Sequence, residues 1–267
     1  LTFDPHAQNH QTTLNFQMHV YEALTRYTKD YKVEGALATS WQQVSPTQWR
    51  FNLRKGVKFH DGTPFTADDV VFSYNRAAVA PSNLTSAVTG IKEVKKIDDF
   101  TVDLILAGPN PVLLRQIIEA RIMSKAWAEK NKSEKSQDYK AKEETFAARN
   151  ANGTGPYMLK TWQADVKIEL TANKNWWDKM EGNVDEVIFT PVKSDGTRVS
   201  ALLSGDVDII TDPPPQDIAR LRQTPALKVL DGGENRTIFF GMDQSRDELL
   251  YSSVKGKNPL KDRRVRQ

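Results

Sequence analysis

Cysteine is absent from the 267-residue chain. That absence excludes disulfides, thiolate zinc sites, iron–sulfur clusters, haem attachment through cysteine and a cysteine nucleophile. It does not name a compartment, because a secreted protein can be stable without disulfides. Long apolar stretches are missing as well. Runs such as Val70-Val71-Phe72 fall far short of the ~20 residues that a membrane-spanning helix requires. Leu1 to His6 hold no basic stretch followed by an apolar one, so no signal peptide lies within these residues.

Histidine is scarce: His6, His10, His19 and His60. His6 and His10 stand four apart, a spacing that could share a metal on a helix. Pro5 and the polar stretch after it argue instead for a loop, and no carboxylate stands at ligand spacing. Each histidine is therefore expected to be solvent-exposed or in a turn, and no metal or cofactor is expected. The chain has no H-E-x-x-H, G-x-S-x-G or G-x-x-x-x-G-K-[ST]. Gly153-Thr154-Gly155 lacks a third glycine and precedes Pro156, so it reads as a turn. The acid pairs Asp68-Asp69, Asp98-Asp99 and Glu143-Glu144 fall at a helix start, a turn and a solvated face. Two-carboxylate catalysis needs groups roughly 5–9.5 Å apart across a substrate, and sequence neighbours on such elements do not supply that. No catalytic residue is assigned.

What is present begins with charge. There are 37 Lys+Arg against 34 Asp+Glu, a formal +3. Lys255 to Gln267 alone carry six basic residues and one acid, leaving 31 basic and 33 acidic residues in the rest. The basic excess belongs to the tail, so the body gives no reason to expect nucleic acid. Basic and aromatic residues interleave at Trp49-Arg50-Phe51, but that alternation turns the rings towards a core and the charges to water.

Apolar spacings of three and four predict an amphipathic helix over residues 14–28, through Leu14, Phe16, Val20, Tyr21, Leu24 and Tyr27. The period falls to two at Trp49, Phe51 and Leu53 and again at Phe100, Val102, Leu104 and Leu106, which predicts strands. Thr66 caps a helix with Asp69 three residues on, an acidic variant of the capping box, and Val70, Val71 and Tyr74 face its core. Residues 128–150 read as a solvated helix face. Val166, Ile168 and Leu170 predict another strand. A strand at Val187-Ile188-Phe189, a helix from Ser194 to a Gly205 stop and a strand at Val207–Ile210 form a strand–helix–strand unit, expected to be parallel. Ligands collect beyond the carboxyl ends of such strands, which points to Asp212 to Gln216.

One run is specific: Leu37-Ala38-Thr39-Ser40-Trp41, then Trp49-Arg50-Phe51-Asn52-Leu53-Arg54-Lys55-Gly56-Val57-Lys58-Phe59-His60-Asp61-Gly62-Thr63-Pro64-Phe65-Thr66-Ala67-Asp68-Asp69-Val70. With Phe3 to His6, Val20 to Leu24, Thr154 to Tyr157, Asn173 to Trp177 and Gly205 to Asp208, the chain strongly resembles bacterial extracellular solute-binding protein family 5. These are the dipeptide, oligopeptide and nickel-binding proteins of ABC importers. The run itself is structural: turn, cap and core.

The resemblance implies an α/β fold, a type II periplasmic-binding-protein-like lobe with a mixed sheet and flanking helices, plus a small inserted α+β subdomain. Residues 1–38 with 152–254 would form the lobe, 39–151 the insert, and 255–267 the start of the crossover to a second lobe. Both ends read as cuts, so the chain is expected to be a first-lobe fragment. The implied function is capture of a dipeptide or oligopeptide in the periplasm, or at a lipid-anchored extracellular position, and delivery to a membrane permease. The full-length form would be a monomer and not an enzyme. Alternatives are a solute-sensing receptor or chemotaxis adaptor, and a binder of an opine, oligosaccharide or metal chelate. The resemblance places Asn9, His10, Gln11, Thr12 and Thr13 in the cleft, with Asn9 where some peptide binders carry an acid. Asp212 and Pro213, and Asn235, Arg236 and Thr237 before a strand at Ile238–Phe240, are candidates by position. Pro81 to Leu84 lack the Arg and Trp of the nickel binder, which disfavours a nickel chelate.

Overall fold

The computed structural model describes residues 1–141, 143–232 and 237–267. They fall into two compact units, Leu1–Pro191 and Val192–Gln267. The first unit opens with helix α1 (Gln11–Gln17) and the two-stranded antiparallel ribbon β1 (Thr25–Tyr27) and β2 (Val33–Gly35). Strands β3 (Ala38–Ser45) and β4 (Gln48–Leu53) lead to helices α2 (Ala67–Ala78) and α3 (Thr85–Val88). Strands β5 (Ile91–Asp98) and β6 (Thr101–Leu106) follow, then the short helices α4 (Leu113–Gln116), α5 (Lys125–Lys130) and α6 (Phe146–Arg149). The unit closes with β7 (Tyr157–Gln163), β8 (Lys167–Ala172) and β9 (Glu186–Phe189).

Two sheets organise it. The first has the order β3-β4-β6-β5, with Phe51 opposite Val102 and Trp49 opposite Leu104. The period-two pattern puts Phe51, Leu53, Val102, Leu104 and Leu106 on one buried face, where Val70, Tyr74 and Ala77 of α2 pack. The second, β7-β8-β9, buries Ile168 and Leu170 against Phe3, Phe16, Val20 and Tyr21. All strand pairings among the described residues are antiparallel.

Four expected elements differ. The helix expected over 14–28 ends at Gln17. Beyond it the His19 and Val20 carbonyls accept from Tyr157 and Gly155, each at 2.9 Å, so that backbone is committed to a neighbouring segment. The buried residues Val20, Tyr21 and Leu24 keep their spacing without a helix. Residues 128–150 are not one solvated helix: the described residues between α5 and α6 are irregular, and Ser133, Ser136 and Gln137 are buried.

The second unit contains α7 (Asp195–Ser204), α8 (Ile218–Arg222) and α9 (Arg263–Arg266). Ser194 Oγ accepts the Thr197 amide and Gly205 stops α7 at φ +82°, as the sequence indicates. The strand expected at Val207–Ile210 is absent from the described structure, and with it the parallel unit. That stretch finds no strand partner and Ile209 is 81% exposed. The strand expected at Ile238–Phe240 is likewise unformed, with Phe240 93% exposed.

Candidate functional site

The segment from Thr2 to Ala7 is buried, although it carries an acid and a histidine. Asp4 survives there because Arg76 of α2 meets it end-on, Nη1 donating to Oδ1 at 2.7 Å and Nη2 to Oδ2 at 2.6 Å. The two side chains are 0% and 1% exposed. Each Asp4 oxygen accepts a second bond, from the His6 amide at 3.0 Å and the Gln137 amide at 2.8 Å. Arg76 spends its remaining donors on the carbonyls of Ser133 and Lys135 and on His6 Nδ1, 2.9 Å away. Its five N–H groups are all used, as a buried guanidinium requires. Burial alone would raise the Asp4 carboxyl; the Arg76 charge and hydrogen bonds outweigh it and hold Asp4 below its ordinary value.

His6 lies in a turn, as expected, but a fully buried one. Nδ1 accepts from Arg76, so the proton sits on Nε2, which donates to the Arg121 carbonyl at 2.9 Å. Burial, helped by the Arg76 charge, pushes its pKa down to about 4. His60 is a turn histidine too, as expected. It is half-buried, Nδ1 accepting the Gly153 amide at 3.3 Å and Nε2 facing the Gly155 carbonyl at 3.0 Å. Burial lowers its pKa too.

Beyond Ala7 the chain surfaces. Asn9, His10, Gln11 and Thr12 are exposed. His10 precedes α1 in extended conformation, and Gln11 Nε2 donates to Asn15 Oδ1 at 2.9 Å. Thr13 is buried, its hydroxyl donating to Gln8 Oε1 at 2.7 Å, so it braces the segment from beneath instead of facing solvent. Upstream, the His6 carbonyl accepts from the Asn83 amide and Ser82 Oγ, and the Ala7 carbonyl from Asn83 Nδ2 at 2.6 Å. Asn9 to Thr12 thus form a patch of amide, imidazole and hydroxyl groups, fixed at both ends, that can offer hydrogen-bond donors and acceptors to a polar solute.

The remaining candidates lie in the second unit. Asp212 is exposed at φ +50°, its carbonyl accepting from Arg198 at 3.2 Å; Pro213 is half-buried and Thr237 exposed. Asn235 and Arg236 lie outside the described residues.

Sequence reasoning missed two networks. Arg76 stands among apolar residues on the buried face of α2, and an arginine there was the available signal. In the other, Glu22 Oε2 accepts from Thr154 Oγ1 at 2.9 Å, Trp177 Nε1 at 2.8 Å and Trp176 Nε1 at 3.4 Å. Arg54 stacks over the Trp177 ring at 4.0 Å. Burial pushes the Glu22 carboxyl up against these donors. Among the described residues no cluster of three or more His, Asp or Glu side chains could hold a metal, and no helix is long and apolar enough to cross a membrane.

A lobe of the type II periplasmic-binding-protein class is what this architecture matches among solved structures. The family model for bacterial extracellular solute-binding proteins, family 5 (middle), matches residues 32–267, and the chain belongs to this family of solute-binding proteins. The dipeptide-binding protein of Escherichia coli (strain K12) is 29% identical over 253 residues, covering 86% of this chain and 44% of that protein. The ABC transporter-associated periplasmic binding protein DppA from Helicobacter pylori, in complex with peptide STSA, superposes with TM-score 0.74 at 25% identity. It covers 84% of this chain and 47% of the other. AgaA from A. tumefacien R10, in complex with agropinic acid, gives TM-score 0.75 at 27% identity over 84% of this chain and 44% of the other. The chain spans a little under half the length of the relatives it matches.

Proposed function

We propose that this chain supplies one lobe of the substrate-binding protein of an ABC importer, which captures a peptide-like solute in the periplasm and hands it to a membrane permease. The observation that carries this reading is the match, over most of the chain, to a peptide-loaded, ABC transporter-associated periplasmic binding protein. In this reading residues 1–38 and 152–254 are the lobe and 39–151 its insert, with 255–267 starting the crossover. In its favour, the β7-β8-β9 sheet packs with residues 3–21, whereas the core of the other sheet lies mostly within 39–151 and takes in Leu24, Leu37 and Ala38. Asn9, His10, Gln11 and Thr12 face the solute, and Asp212, Pro213, Asn235, Arg236 and Thr237 are further candidates. No bond is made or broken: two lobes close about a hinge, and the closed form is the one the permease reads. Neutral amides and hydroxyls match the repeating backbone groups of a peptide without selecting a side-chain charge.

Half a cleft loses most of the burial that holds a ligand. Calorimetry with a peptide library should therefore give binding by the full-length protein and weak or no binding by residues 1–267; micromolar binding by 1–267 alone would overturn the half-site reading. The agropinic acid complex of AgaA favours an opine as the second reading. Native mass spectrometry of the full-length protein from its own cells separates the two by the mass of the co-purifying solute.

A further inference from the structure

We propose that Arg76 is the positioning residue of the solute-facing segment: through Asp4 and His6 it holds Asn9 to Thr12 in one conformation before solute arrives. This rests on the reading that those four residues face the solute.

The argument begins with cost. A fully desolvated ion pair is seldom more stable than well-packed apolar side chains of the same volume, and its use is more often to fix one geometry. Here geometry is over-determined. All five Arg76 donors and two bonds to each Asp4 oxygen are committed, and they join four stretches of chain: residues 2–7, α2, and the 133–137 and 121 backbones. Gln17 Nε2 adds α1 by donating to the carbonyls of Thr2 and Asp4, both at 3.0 Å. These bonds converge on the residues just before the exposed segment, while Thr13 and Gln8 close its far side. A segment so held presents its polar groups already ordered, and the ordering cost is not charged against solute binding. Were it loose, apparent affinity would fall in proportion to the fraction of molecules in the competent conformation. Lysine cannot substitute, because an ammonium has three donors and no planar fork.

The test uses the full-length protein with a dipeptide library as probe, in two variants. Asp4→Leu/Arg76→Met replaces the ion pair by apolar groups, and Arg76→Lys keeps the charge but loses the fork. Two readouts separate positioning from plain stability: amide exchange at residues 8–13 and dissociation constant, both compared at matched Tm. The expected result in either folded variant is about tenfold faster exchange confined to that segment and about tenfold weaker binding. Wild-type exchange and affinity would overturn the proposal. Asn9→Ala and Gln11→Ala report on the underlying reading: if both leave affinity unchanged while exchange at 8–13 rises in the Arg76 variants, Arg76 holds a segment that does not face solute, and the reading falls with the proposal. If they weaken binding but the Arg76 variants do not, positioning alone is refuted.

Discussion

At Gly153 a Cβ would lie 1.9 Å from the Val20 carbonyl oxygen, and at Gly155 2.6 Å from that of His19. Neither approach can be relieved by a side-chain rotation, since both obstacles are backbone. Gly153→Ala should therefore destabilise by about 3 kcal/mol or more, read as a lowered urea midpoint, whereas Gly182→Ala, with open space around it, should stay within about 0.5 kcal/mol. Equal midpoints for the two variants would refute the close-packing account. His6 supports a second residue-level expectation. Its folded pKa of about 4 lies below its ordinary 6.5, so the unfolded chain binds the extra proton between those values. Stability should fall as the pH drops through that window, by up to roughly 3 kcal/mol from this group. Asp4, lowered in the fold, acts in the same sense below its ordinary 3.8; Glu22, raised, acts in the opposite sense above 4.5. His6→Gln keeps an acceptor for Arg76 and cannot titrate. Urea unfolding at several pH values between 7 and 4 should show it losing less stability than wild type, and parallel losses would sink the assignment.

Among the elements, α2 shows what the sequence alone can resolve. Asp69 Oδ2 accepts the Thr66 amide at 2.9 Å, the reciprocal half of the capping box expected from Thr66 and Asp69. Its other oxygen accepts the Lys125 amide at 2.9 Å, tying the start of α5 to that of α2. Thr66→Ala should cost about 1 kcal/mol. Asp69→Ala should cost more, roughly 2–3 kcal/mol, because it also strands a second amide. Thermal denaturation of the two variants checks the order, and a reversed order would refute the double role. The cap was legible because its partners are three residues apart. So were β4, β6, β8, β9 and α7, whose periodicity or caps are local. The end of α1 at Gln17 was not, since what stops it comes from residues 153–157. The strands expected at 207–210 and 238–240 failed for a related reason: a strand needs a neighbour, and apolar composition supplies none. At the candidate site, Asn9 to Thr12 rest on the resemblance, while the bond proposed to seat them joins residues 72 positions apart, a distance no local pattern spans.

The whole molecule is uneven in how much it buries. Apart from Pro214, the buried apolar side chains among the described residues after Pro191 are Val199 and Leu221. The first unit, by contrast, holds three clusters. Regions with few buried contacts open at low free energy. Hydrogen exchange of the isolated chain should thus leave β4 and β6 protected long after residues 192–267 have exchanged. Comparable protection in the two regions would contradict this. Among family members the chain matches less than half of each relative's length, so the same measurement on the full-length protein should show whether further chain raises protection in 192–267.

Glu22 gathers two indole N–H groups on one oxygen, beside the Gly153–Gly155 crossing. That makes Trp176 and Trp177, two of the six tryptophans, a built-in optical gauge. Indole emission responds to a charge at the ring nitrogen, so the colour of this pair should change as Glu22 takes up a proton, and should be silent to pH in Glu22→Gln. A fluorimeter can then follow the packing of residues 173–177 against Glu22 without attaching any dye.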